Sequence, residues 1–223
     1  MSKNLVVVGD SAFAQIAREY FDAESDYRVV GFSVEQAYLK QDSLDDLPVV
    51  AFETLESSFS PANHHVFVAI TYTQLNRLRT RLVNAAQGRG YPLASFISPH
   101  AFVWRNVRPG EHCFVFENNV VQPFVTIGRN VILWSGNHIG HHSHIGENCF
   151  VSSHVTLSGF CEVGPNSFIG VNSCIANNVK IGRDNWIGPG LTITRDTEAD
   201  SLFGPVSAQP SKVPATRYFK IKE

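Results

Sequence analysis

The sequence predicts a small α/β domain built on a parallel sheet, followed by a triangular parallel β-helix. Two patterns carry this. Up to about residue 95, short apolar runs alternate with stretches of helical spacing. Further on, an aliphatic residue recurs at every sixth position from Val115 to Ile193 without a gap. Composition removes other classes. The 223 residues are 43 % hydrophobic and 17 % charged, with a net charge of −2. That is too apolar for a disordered chain, and it supplies no basic field for nucleic acid or an anionic membrane. No apolar run approaches the roughly 18 residues of a membrane span. Met1-Ser2-Lys3-Asn4 leads straight into a strand-like run, so no signal peptide is expected. Cys113, Cys149, Cys161 and Cys174 form no CxxC pair, which reads as a cytoplasmic protein with reduced thiols.

The elements of the first part follow in order. Leu5-Val6-Val7-Val8 is a buried-strand run, followed by Gly9-Asp10-Ser11. Ala12, Phe13, Ile16, Ala17, Tyr20 and Phe21 then recur at helical spacing, with Asp10 or Ser11 placed to cap the helix. Tyr27–Phe32, Val49–Phe52 and Val66–Ile70 read as further strands. A helix from about Gln74 to Gln87 sets Leu75, Leu78 and Leu82 on one face and stops at Gly88-Arg89-Gly90.

In the second part each hexad is one short strand and one corner, and three hexads close a coil of 18 residues. The aliphatic residue points inward and stacks on its neighbours at roughly 4.8 Å. Two residues before it sits a small or branched side chain, which makes Cys113, Cys149 and Cys161 inward fillers. Glycines and asparagines suit corners with unusual backbone angles. After Arg195 the period breaks and Pro205, Pro210 and Pro214 mark an irregular tail with room for a short closing segment. The division expected is 1–95 for the α/β domain, 96–195 for the β-helix and 196–223 for the tail.

Stacking every 18 residues also reads out the outward columns. One holds Phe114, Ile132, Phe150, Phe168 and Trp186, and a second holds Phe124, His142 and Phe160. A continuous apolar stripe needs a cover. A subunit interface, and with it a cyclic homotrimer, is the reading preferred over a cover by the tail or the first domain. Five histidines, His138, His141, His142, His144 and His154, cluster on outward positions. Successive hexads turn by a third of a coil, so no three converge within one chain and no metal site is expected there. His141 is the candidate general base: imidazole suits proton abstraction near neutrality, and Gly159 above and Pro123 below leave room for a ligand.

The strand-loop-helix start, Leu47-Pro48-Val49-Val50, Ile97-Ser98-Pro99-His100-Ala101 and Gly170-Val171-Asn172-Ser173-Cys174 together resemble the hexapeptide-repeat, left-handed β-helix acyltransferases. The nearest branch carries a small Rossmann-like N-terminal domain and includes sialic acid O-acetyltransferases and N-acetyltransferases of nucleotide-linked amino sugars. The resemblance covers about residues 4 to 195. It implies a left-handed coil, acetyl-CoA as co-substrate, and direct transfer in a cleft between two subunits of a homotrimer. By the same resemblance His141 is the base, His142 an auxiliary where the family often has an acid, and Gly159 a backbone N–H donor to the thioester carbonyl. Phe150 then stands at the cofactor-side position that often holds a second histidine. The family's sugar-nucleotide loop maps to Gly9, Asp10, Ser11 and Phe13, which makes the first domain the acceptor-binding one. That loop fails the GxGxxG fingerprint, which argues against an NAD-dependent oxidoreductase.

The function expected is therefore an acetyl-CoA-dependent N-acetyltransferase acting on a nucleotide-linked amino sugar for surface polysaccharide. O-acetylation of a sugar hydroxyl by the same machinery and a non-catalytic scaffold trimer are the alternatives. A β-helical metal hydratase is disfavoured by the histidine spacing.

Overall fold

The structure is a computed structural model that describes residues 2–205 and 207–221. Of the expected tail, Val206, Lys222 and Glu223 lie outside the described residues. The first part is a five-stranded sheet. Its strands are β1 (Lys3–Val8), β2 (Tyr27–Val34), β3 (Ser43–Leu44), β4 (Leu47–Ala51) and β5 (His64–Val68). They lie in the order β3-β4-β2-β1-β5, and all pairs are parallel except β3 with β4. Helix α1 (Ala12–Glu24) buries Phe13, Ala14, Ala17 and Phe21. Short α2 (Leu55–Ser58) follows β4, and α3 (Arg77–Gly88) packs Leu82, Val83 and Ala86 onto the other face. α3 starts three residues later than the spacing predicts, because Gln74, Leu75 and Asn76 all take left-handed backbone angles. Both sheet faces are covered, as parallel strands require.

From Phe96 the chain winds into a left-handed β-helix of two-residue strands. These stack into faces of seven, six and four strands. The inward aliphatics from Val115 to Ile193 are buried and form one continuous core with Cys113, Cys149 and Cys161. Past Arg195 the coil takes one more strand, Leu202–Phe203, which pairs with Trp186–Ile187.

Corner chemistry differs from the simple expectation. The glycines after the inward aliphatics have ordinary backbone angles; they are needed because coils approach closely. A Cβ at Gly128 would sit 2.6 Å from Glu147 N, and one at Gly164 would sit 2.4 Å from Arg183 N. The left-handed corners fall mainly to Asn118, Asn130, Asn148, Asn166, Asn172 and Asn178, whose short polar side chains tolerate that region best after glycine.

The aromatic column Phe114–Trp186 is not a free face. The first domain lies on it. Phe13 meets Phe114 at 5.9 Å and Trp134 at 5.3 Å between ring centroids. Tyr20 meets Phe116 at 5.1 Å, and Tyr72 meets Phe168 at 4.6 Å. The stripe is thus covered within the chain and supplies no motive for a trimer.

One edge of the prism carries the polar half of the same contact. Arg79, on α3, is fully buried. Its guanidinium donates to the carbonyls of Thr71 (2.6 Å), Asn130, Asn148 and Cys149 (3.2 Å each), and its Nε donates to Asn130 Oδ1 (3.0 Å). Burial pushes its pKa down to about 9, so it stays charged at neutral pH. Asn76 reaches the next coil at the Asn166 carbonyl (3.1 Å), and Arg77 reaches the coil after that at Asp184 (2.5 Å). Beside Arg79, His112 accepts from the Val68 N–H at 2.8 Å, lies 2.9 Å from Asn130 Oδ1 and stacks on Phe67.

Burial, with the Arg79 charge next to it, pushes the His112 pKa down to about 3. Between that value and about 6.5 the unfolded chain binds a proton that the folded chain refuses, so stability falls as pH drops through this window. From pH 7 to pH 5 the loss from this group is about 2 kcal/mol. Urea midpoints of native protein and His112→Asn at both pH values should show it as a smaller acid loss in the variant.

Candidate active site

His141 and His142 stand at the edge opposite the face that the first domain covers. His141 follows the strand His138–Ile139, and His142 is the corner residue with φ of 58°. The His141 N–H donates to Gln122 Oε1 (2.9 Å), and its carbonyl accepts from the Phe160 N–H (2.9 Å). Its ring lies against Gly159: a Cβ there would meet His141 Cε1 at 2.7 Å and Nε2 at 2.9 Å. Glycine is required here because any side chain would displace the ring. Among the described residues the Gly159 N–H has no acceptor in the chain, and neither does His141 Nε2. A base and a hydrogen-bond donor are thus free in adjacent coils, on an exposed edge where a carbonyl compound and a nucleophile could meet. Gly159→Ala is expected to lower kcat by about tenfold or more through the displaced ring, with the circular dichroism spectrum unchanged.

The other histidines diverge from this point. His144 Nδ1 pairs with Thr126 Oγ1 at 2.7 Å on one face, and His154 packs over Gly136 on another edge. Among the described residues, no three His, Cys, Asp or Glu side chains are grouped to hold a metal ion.

A cleft of about 260 Å³ opens in the first domain beyond the carboxyl ends of β1, β2 and β5. Gly9, Asp10, Glu35, Tyr38, Lys40 and Leu78 are among its lining residues. Ligands of such sheets lie at this end. The Arg81 guanidinium grips Glu35 through two hydrogen bonds (2.8 and 2.9 Å) and holds its carboxyl below the usual range. Glu35, Tyr38 and Lys40 were not anticipated; their place just past the end of β2 is the signal that marks them.

Two expected site residues are corrected. Phe13 does not face the cleft: it is 3 % exposed on the buried side of α1, among Phe67, Phe114 and Trp134. Phe150 is likewise 3 % exposed, stacked between Trp134 and Phe168 beneath Tyr72, on the face away from His141. Neither can touch a ligand in this chain. Ser11 is exposed at the N-cap position of α1, its hydroxyl makes no capping bond, and it is not part of the cleft wall. The structure therefore brings His141, His142 and Gly159 together, sets Gly9 and Asp10 around a separate cleft, and places Phe13 and Phe150 in the packing between the two parts.

Residues 125–159 match the family described as bacterial transferase hexapeptide (six repeats). No curated protein matches the chain in sequence. Among solved structures, a single-residue variant of perosamine N-acetyltransferase from Caulobacter crescentus, in complex with CoA and GDP-perosamine, is 27 % identical. It aligns over 92 % of this chain and 95 % of its own, with a TM-score of 0.83. The acetyltransferase domain of PglB from Neisseria gonorrhoeae FA1090 has the same fold at 24 % identity, over 94 % of this chain and 100 % of its own, with a TM-score of 0.81. WeeI from Acinetobacter baumannii AYE shares the fold at 18 % identity, over 90 % and 96 %, with a TM-score of 0.70.

Proposed function

We propose that this hexapeptide-repeat acyltransferase moves the acetyl group of acetyl-CoA onto the amine of a nucleotide-linked amino sugar. One observation carries the reading: the His141 imidazole lies against Gly159, and among the described residues neither His141 Nε2 nor the Gly159 N–H has a partner. Likeness to a structure that holds CoA and GDP-perosamine, at 27 % identity, supports the substrate classes. In this mechanism His141 Nε2 takes a proton as the sugar amine attacks the thioester carbonyl. The C–N bond forms, the Gly159 N–H stabilises the developing oxyanion, and the C–S bond breaks to release CoA.

The acceptor's nucleotide occupies the cleft at Gly9 and Asp10, beside the start of α1 whose free N–H groups favour an anion. Asp10 and Glu35 disfavour a phosphate near them, so Lys40 and the α1 amides are left to hold it while the carboxylates take hydroxyls or base N–H groups. The cleft lies in the domain that covers one face, whereas His141 lies on the opposite edge. A reaction that needs both therefore uses two chains, which supports a homotrimer with its sites between subunits. Buried free thiols at Cys113, Cys149 and Cys161 suit a reducing cytoplasm, and the product would be a building block for surface polysaccharide. No helix among the described residues is long and apolar enough to cross a membrane.

Release of CoA from acetyl-CoA in the presence of a panel of nucleotide-linked amino sugars tests the reading. Turnover with an amine acceptor supports it. Turnover only with hydroxyl acceptors replaces it by O-acetylation, and no turnover with any acceptor rejects it. Light scattering should give about three times 24.7 kDa. A monomer at micromolar concentration would rule out the shared site.

A further inference from the structure

The net charge of −2 is spread unevenly along the chain. Of its 18 cations, four (Lys212, Arg217, Lys220 and Lys222) lie in 201–223, and of its 20 anions only Glu223 does. The tail thus carries +3 and the rest of the chain −5. From Ser201 to Lys222 there is no Asp or Glu. Among the described residues, none of Lys212, Arg217 and Lys220 meets a carboxylate.

The same stretch is apolar where it is not basic. Val213, Tyr218, Phe219 and Ile221 are 44 %, 72 %, 72 % and 61 % exposed. Every described residue from Gly204 to Ile221 is exposed. Its backbone bonds are local: the Tyr218 N–H donates to the Pro214 carbonyl (3.0 Å), Phe219 to Ala215 (2.9 Å) and Ile221 to Thr216 (2.9 Å). Arg217 and Lys220 flank the Tyr218-Phe219 pair in sequence. Large apolar side chains held together in water need a cover, and the cations among them require that the cover be negative.

A second copy is a poor match. The chain's other exposed apolar patch, Ile97, Phe102 and Trp104, lies on the first coil, at the far end of the prism, beside Arg105 and Arg108. It has the wrong sign for the tail. A lipid surface asks for neither pocket nor shape. Rings and branched chains enter at the level of the headgroups, while cations stay on the anionic ones. Each cation close to such a surface strengthens binding about fivefold.

We propose that the segment 207–221 is an anchor for an anionic lipid surface, with Lys212, Arg217 and Lys220 on the headgroups and Tyr218, Phe219 and Ile221 inserted among them. In the homotrimer proposed above, threefold symmetry sets three tails at one level, so they engage one surface together with the avidity of a trivalent contact. The −5 bodies are repelled by that surface, which leaves the prism standing on its tail end. Arg195, where the coils give way to the tail, is three coils from His141, roughly 14 Å along the axis. Docking therefore leaves the His141 edge open to soluble substrates. That the anchor delivers a polysaccharide precursor to a membrane rests on the proposed function; the lipid contact itself does not.

Sedimentation of the full chain with vesicles tests this. It should bind phosphatidylcholine vesicles containing about a third phosphatidylglycerol at least about tenfold more tightly than pure phosphatidylcholine. Salt at about 0.5 M should release it. Lys212→Gln, Arg217→Gln and Lys220→Gln together should weaken binding about a hundredfold. Phe219→Ser with Ile221→Ser should weaken it about tenfold or more at unchanged charge. The fluorescence that Phe219→Trp adds to the native signal should shift to the blue on anionic vesicles. In the charge variant, kcat on soluble acceptors and molecular mass should stay native. No binding of the native chain to anionic vesicles, equal binding to neutral ones, or native binding by the charge variant overturns the proposal. So does a native chain that ignores vesicles but is retained by polyglutamate, which would place an acidic protein on the tail instead. A charge variant with lost turnover or altered mass also overturns it, since the tail would then serve acetyl-CoA or a subunit contact. Lipid binding as expected with no turnover on any acceptor would instead count against the acetyl-transfer reading alone.

Discussion

His141→Ala is expected to lower kcat by a hundred- to ten-thousand-fold, roughly the contribution of a positioned general base. The fold should be indifferent to it. His141 is exposed, its ring makes no core contact, and its backbone bonds to Gln122 and Phe160 do not involve the side chain. Thermal midpoint and molecular mass should therefore match the native protein, and KM for acetyl-CoA should change little. Residual activity should rise with pH, because more of the acceptor amine then arrives deprotonated and has less need of a base. A variant with native turnover would mean that the acceptor reaches the thioester already deprotonated, and the base assignment would fail.

The largest effect on stability is expected at Arg79. Its guanidinium is buried, has no carboxylate against it among the described residues, and is solvated by the carbonyls of two segments brought together by folding. In Arg79→Met the desolvation of a charge is relieved, which by itself favours the variant. Against this, the carbonyls of Ile70, Thr71, Asn130 and Asn148 lose their donor in a dry interface, at about 1–3 kcal/mol each. The second effect is larger, so a net loss on the order of 3 kcal/mol is expected. Urea denaturation followed by tryptophan fluorescence is a suitable measurement, since Trp134 and Trp186 both pack in this contact. Arg79→Lys keeps the charge but offers one nitrogen where the fork offers three, and should fall between native and Met. An unchanged midpoint in Arg79→Met would show that the two parts are held by the aromatic contact alone.

The β-helix was legible because a single rule, one inward aliphatic per six residues, sets both the strand and the turn. Its core from Val115 to Ile193 follows residue for residue. The columns were legible as well, down to the stack of Phe124, His142 and Phe160. What covers a column was not. Spacing tells which side a residue faces, but the cover comes from Phe13, Tyr20 and Tyr72, more than 50 positions away from the aromatic rings they meet. That is why the stripe reads as a subunit interface; Phe150 and Phe13 take ligand roles only from the family resemblance, which cannot show that each ring is buried in the contact between the two parts. Arg79 and His112 were missed for a related reason. A lone arginine on a helix reads as a solvated face, and only the docking of that helix against a row of corner carbonyls removes the water. Gln122 carries no pattern of its own, and the cleft residues Glu35, Tyr38 and Lys40 are marked only by their place just past the end of β2.

The row of contacts along α3 has a bearing on synthesis. Arg79, Asn76 and Arg77 reach successive coils in chain order, at Asn130 and Asn148, then Asn166, then Asp184. The α/β domain leaves the ribosome first, so this docking wall precedes the coils that lean on it. Each new coil needs only its predecessor and the next rung of the wall, contacts that do not wait for the C-terminus. The growing end of a β-helix exposes an unpaired strand edge to every other nascent chain. A wall that fixes each coil as it emerges limits that exposure to a single coil at a time. The arrangement thus amounts to a built-in template for vectorial folding, independent of whatever reaction the finished edge performs.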